Sequence, residues 1–138
     1  WLEPAKHPKL YGAKPSDPLN PHITLVRVSA RQLTRLATVM VERLNQSRGP
    51  VAVVIPKGGF SFYNRDGLHF RDLKADQAFV DTLRTNLKPG ISLYEFDSHI
   101  NDPLFVPEIV SVFEALLKRA ETEKDSVDPG DTPWMNMP

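Results

Sequence analysis

Gly90-Ile91-Ser92-Leu93-Tyr94-Glu95-Phe96-Asp97-Ser98-His99-Ile100-Asn101-Asp102-Pro103 is the stretch whose reading decides the fold. Its first half is a strand pattern, with Ile91, Leu93, Tyr94 and Phe96 in a short apolar and aromatic run. Its second half sets Asp97, His99, Asn101 and Asp102 close together, and Pro103 opens a helical pattern. A strand that turns polar just before a helix places those groups at the carboxyl end of a sheet. Open α/β sheets bind ligands there.

Two more units of the same kind lie upstream. Residues 22–28 are rich in β-branched side chains and read as a first strand. Ser29 with Gln32 three residues later forms a capping box, and Leu33, Leu36, Ala37, Met40, Val41 and Leu44 follow at helical spacing. Residues 51–55 are an unbroken apolar run, as in strands covered on both faces. Residues 60–63 and 68–70 flank Asn64-Arg65-Asp66-Gly67, a β-hairpin pattern with Gly67 at a positive φ. Asp72 opens a second helix carrying Ala75, Phe79, Leu83 and Leu87, stopped by Lys88-Pro89-Gly90. Phe105, Ile109, Val112, Phe113, Leu116 and Leu117 make a third, ending near Ala120, with Pro103 or Pro107 at its first position.

These units predict an α/β fold: a small Rossmann-like parallel sheet of three main βα units with an inserted β-hairpin. The expected boundaries are a Pro-rich arm or linker over 1–18, the α/β domain over 19–121, and a mobile tail over 122–138 around Trp134. The chain opens on Trp1 rather than Met, so we expect a piece of something longer. Three strands leave both sheet edges open, which predicts a homo-oligomer or docking to another domain.

The chain has 138 residues, with Lys+Arg and Asp+Glu balanced at 17 each. Zero net charge argues against nucleic-acid binding, which needs a basic face, and no apolar run approaches the roughly 20 residues of a membrane span. With no Cys, disulfides, thiolate nucleophiles and Cys-ligated zinc are excluded. A cytoplasmic location is the expectation.

All three strands should feed loops at one rim. The candidate ligand-binding residues are Arg27 and Ser29 from the first, Lys57, Gly58, Gly59 and Ser61 from the second, and Asp97, His99 and Asn101 from the third. Gly58-Gly59 suits either an anion-binding turn or a turn alone; the spacing is not that of a Walker loop. Asp97 and His99, two apart, suit acid–base work or a divalent ion. Asp102 is placed to cap the third helix, and Asn101 equally suits a left-handed turn. No histidine spacing suits zinc, and no nucleophile–base pair is evident.

The string Asp97-x-His99-Ile100-Asn101-Asp102-Pro103 resembles a signature of the Tm-1-like ATP-binding family, which includes the tomato mosaic virus resistance protein. Asn20-Pro21 with Thr24, Leu25 and Arg27 is similar to a second family segment, and Pro56-x-Gly58-Gly59-x-Ser61 with Asp66-Gly67 and Phe70 to a third. The resemblance covers about residues 19–119. Leu19 stands where the family has His, and Val28-Ser29 where it has two Thr. The resemblance implies the C-terminal domain of such a protein: Rossmann-like, cytoplasmic and self-associating. The N-terminal α/β domain would be its partner, across an interdomain site for ATP with Mg or another anion. A structural interaction module and the half-site of a metal-assisted hydrolase stand as alternatives.

Overall fold

The computed structural model describes residues 14–20 and 22–125. In order they form β1 (Ser16–Asn20), β2 (Ile23–Val26), α1 (Ala30–Leu44), β3 (Ala52–Pro56), α2 (Leu73–Asn86), β4 (Ser92–Phe96) and α3 (Phe105–Asp125). The protein is a small α/β domain built on parallel βα units. β3 and β4 pair in parallel, Ala52 opposite Ser92 through Pro56 opposite Phe96. The crossover between them carries α2, as parallel pairing requires.

The first strand departs from expectation. Among the described residues β2 does not join β3 and β4; it pairs antiparallel with β1, Ser16 opposite Val26. The cause is local. The Asn20 side chain accepts the His22 amide at 2.7 Å, a tight Asx turn that folds the preceding residues back onto β2. The Arg27 amide extends the pairing to the Pro15 carbonyl, 2.9 Å. Pro18 is tolerated because β1 is an edge. The parallel sheet is therefore two-stranded here, not three.

The inserted hairpin is also absent. Residues 60–70 form successive turns, closed by amide-to-carbonyl bonds from Asn64 to Ser61, Leu68 to Arg65 and Arg71 to Leu68. Gly67 takes the expected positive φ, 84°. The pairing fails because the Asn64 side chain turns inward and is buried.

Helix α1 starts as the sequence predicts: Gln32 N–H donates to Ser29 Oγ at 3.4 Å and Ser29 N–H to Gln32 Oε1 at 3.0 Å. Asp72 caps α2 by accepting the Ala75 amide. Helix α3 begins at Phe105, two residues after Pro103, and runs past Ala120 to Asp125. Pro107 sits in its first turn, where no N–H is needed. The core joins Leu33, Ala37 and Val41 of α1 to Ala75, Phe79, Val80 and Leu83 of α2 over Ile55, with Val53 and Leu93 beside it. By strand alternation Val54 and Tyr94 face the other side. Helix α3 contacts β3 and buries Phe105 and Val112. Trp134 lies outside the described residues.

Candidate functional site

The loops after β3 and β4 lie at the carboxyl ends of the parallel pair and are fastened together. Lys57 N–H donates to the Phe96 carbonyl at 2.8 Å, Gly58 N–H to Ser98 at 2.9 Å, and Ile100 N–H returns to Gly59 at 3.0 Å. This proximity explains both glycines. A Cβ on Gly58 would stand 2.7 Å from the His99 nitrogen and 2.8 Å from the Ser98 carbonyl carbon and oxygen. Gly59 has φ 135°, and a Cβ there would meet the Asn64 carbonyl at 1.7 Å. The Gly59 N–H is bonded to the Pro56 carbonyl. Both glycine amides are thus already spent within the protein, and neither offers a ready cradle for an oxyanion.

His99 completes the fastening. Its Nδ1 accepts the Asn101 amide at 3.1 Å, so Nε2 carries the proton and donates to the Ser61 carbonyl at 2.9 Å. The ring is 9% exposed, and both nitrogens are engaged. It has no lone pair left for a metal or for a substrate proton. Asp97 is 93% exposed and binds Lys57 Nζ at 2.7 Å. The hydrogen bond that Lys57 donates to Asp97, then the carboxylate's charge, raises the Lys57 pKa above the usual value. Asp97 and His99 therefore serve different partners rather than one ion. Among the described residues no group of three or more His, Asp or Glu is arranged to hold a metal. Asp102 accepts the Leu104 amide at 3.0 Å, a turn just ahead of α3 rather than a bond to an amide of the helix itself. Ser29 is occupied in the α1 cap, its side chain bonded to Gln32.

Arg27 belongs to a second grouping. Its Nη2 donates to Asp76 Oδ1 at 2.6 Å. Asp76 also accepts Arg71 Nη1 at 3.0 Å and the Asn64 side-chain amide at 3.1 and 3.0 Å. Arg71 further binds Asp66, Asn64 and the Lys57 carbonyl, tying this network to the rim. Beside it opens a cleft of about 370 Å³, with Arg27, Ser61 and Asn64 among apolar and aromatic side chains. The fold thus brings Lys57, Gly58, Gly59, Ser61, Asp97, His99 and Asn101 to one rim and sets Arg27 and Ser61 along the neighbouring cleft.

A family model for the C-terminal domain of uncharacterised protein family UPF0261 matches residues 3–117. The chain belongs to the UPF0261 family. It is 29% identical over 120 residues to a UPF0261 protein of Brucella melitensis biotype 1, covering 87% of this chain and 29% of that protein. To a UPF0261 protein of Mesorhizobium japonicum it is 28% identical over 113 residues, 80% of this chain and 28% of the relative. One from Clostridium tetani is 29% identical over 87 residues, 62% and 22% of the two chains. The chain spans less than a third of the length of these relatives. Among the described residues of this UPF0261 domain no helix is long and apolar enough to cross a membrane.

Asn64, Arg71 and Asp76 were not among the residues singled out from the sequence. One signal was present. Asp76, Val80 and Leu83 follow each other at helical spacing, so a carboxylate sits on the buried face of α2. A buried charge must be paired or hydrogen-bonded, so Asp76 called for cationic or amide partners.

Proposed function

We propose that this UPF0261 domain supplies one side of an interdomain nucleotide- or anion-binding site and self-associates, in the cytoplasm. The observation that carries the reading is the fastened pair of loops at the carboxyl ends of β3 and β4, the position where α/β sheets take ligands. Lys57 stands there 45% exposed and held as an ammonium by Asp97. Lys57 then meets the phosphate as a point charge, with Asp97 exchanged for it. The glycines and His99 hold the two loops at fixed separation and do not touch the ligand. The facing side of the site comes from another domain, and ATP with Mg is the candidate ligand.

The apolar surface supports the second half of the proposal. Val106, Ile109, Val110, Phe113 and Leu117 of α3 are 41–60% exposed, beside the inner stripe of Phe105 and Val112. A helix apolar on so much of its circumference is normally covered. The open edges of the two-stranded sheet add unpaired backbone groups.

Calorimetry with ATP, with and without Mg²⁺, on this chain and on the full-length Brucella melitensis relative tests the ligand reading. The relative is expected to bind, and changing its residue aligned with Lys57 to Ala should weaken binding about tenfold, the loss of a hydrogen bond to a charged group. Unchanged affinity in that variant would remove the rim from the site and leave an interaction module.

A further inference from the structure

The Arg27 cleft carries a charge and hydrogen-bond imbalance of its own. Arg27, Arg71 and Asp76 have side chains only 11%, 11% and 8% exposed. That leaves two guanidinium groups on one buried carboxylate. The other carboxylate near the network, Asp66, is 86% exposed, and water screens its contribution. The hydrogen bonds are unequal too. Asp76 accepts from three side chains, and Arg71 donates through all three of its nitrogens. Arg27 is the under-used member: its Nε is buried and has no acceptor. A buried donor without a partner on a buried excess cation is unfavourable on both counts.

Arg27 is also a wall of the cleft. The rest of that wall is chiefly apolar: Leu25, Val28, Leu33, Phe60, Tyr63 and Phe70. Tyr63 and Phe70 hold each other with ring centres 5.9 Å apart, so the lining is braced. Apolar walls with one convergent charged group describe a small-molecule site.

We propose that this cleft binds a small organic monoanion, a carboxylate on an aromatic or branched apolar body, with the oxyanion against Arg27. The anion lies against the part of Arg27 that lines the cleft and balances the network's excess charge. The body lies against Phe60, Tyr63 and Phe70. The site adjoins the Lys57 rim at Ser61 but stands whether or not that rim takes a nucleotide.

The test is a titration of this chain, labelled with ¹⁵N, by phenylacetate, followed through backbone amides and the Arg Nε–H signals. Phenyl phosphate asks whether a phosphate ester serves as well, and 2-phenylethanol supplies the same body without charge. Phenylacetate should shift the Arg27 Nε–H signal and the amides of residues 25–28 and 60–64 saturably. It should bind at least about tenfold more tightly than the alcohol, as expected for a charge-assisted hydrogen bond. Arg27→Met should abolish that preference, whereas Lys57→Ala should leave it intact. Equal binding of acid and alcohol, or no saturable shift of Arg27 Nε–H, overturns the proposal. Tighter binding of phenyl phosphate overturns the carboxylate assignment. Should Arg27→Met fail to fold, the wild-type Nε–H response and the acid-to-alcohol ratio still decide.

Discussion

Replacing Gly58 by Ala tests the loop fastening at the cost of one methyl group. The new Cβ would stand 2.7–2.8 Å from three backbone atoms of Ser98 and His99. Backbone cannot rotate out of the way as a side chain can, so the two loops must separate. Separation strains or breaks the Gly58–Ser98 and Ile100–Gly59 hydrogen bonds, 2.9 and 3.0 Å. Each is worth about 1 kcal/mol net, and forcing a methyl into a filled space adds about 1–3 kcal/mol. The expected loss with both bonds broken is about 3–5 kcal/mol. Gly49→Ala is the control, because a Cβ there meets nothing within 4 Å; it should be neutral or stabilising by about 0.4–1 kcal/mol through the unfolded chain. Urea unfolding reads both as midpoint shifts at constant slope. If Gly58→Ala unfolds within about 0.5 kcal/mol of Gly49→Ala, a typical surface-substitution spread, the loops are not fastened as described.

Three further outcomes are expected. Asp76→Ala leaves Arg27 and Arg71 buried without their carboxylate and should destabilise by about 3–5 kcal/mol in the same urea assay; a loss under about 1 kcal/mol would mean that water compensates the network. His99→Ala removes the bonds to Ser61 and Asn101 and should cost about 1–3 kcal/mol, with lost amide exchange protection at Asn101, so any ligand weakening in that variant must be read after correcting for stability. The Lys57 pKa is raised by Asp97, so the pair contributes stability that is complete below the unfolded lysine value of about 10.4 and is lost as pH rises through the higher folded value. Asp97→Asn should flatten that alkaline decline slightly, the pair being largely exposed, and an unchanged pH profile would show that the pair contributes nothing.

Local signals were legible in the sequence wherever neighbouring residues decide the structure. Ser29 and Gln32 announce the α1 cap because both partners lie within one turn. Residues 51–55 and the strand before Asp97 announce a parallel pair because each is followed by a helix. The partner of β2 was not legible, because the Asn20 turn lets a proline-bearing segment compete with a distant strand. The region 60–70 has hairpin turn chemistry, but the buried Asn64 bond to Asp76 outweighs it. Candidate site residues were grouped by strand ends, which placed Lys57, Asp97 and His99 together. Their roles depend on which atoms are already bonded. The His99 tautomer and the spent amides of Gly58 and Gly59 appear only in three dimensions, as does the Arg27 imbalance.

The most direct measurement of the central claim is a crystal structure of the full-length Brucella melitensis relative with ATP and Mg²⁺. The account predicts phosphate oxygens within about 4 Å, ion-pair distance, of the side chain aligned with Lys57, with the loops aligned with residues 56–61 and 97–101 on one side and another domain on the other. A nucleotide bound with no contact to either loop would contradict it.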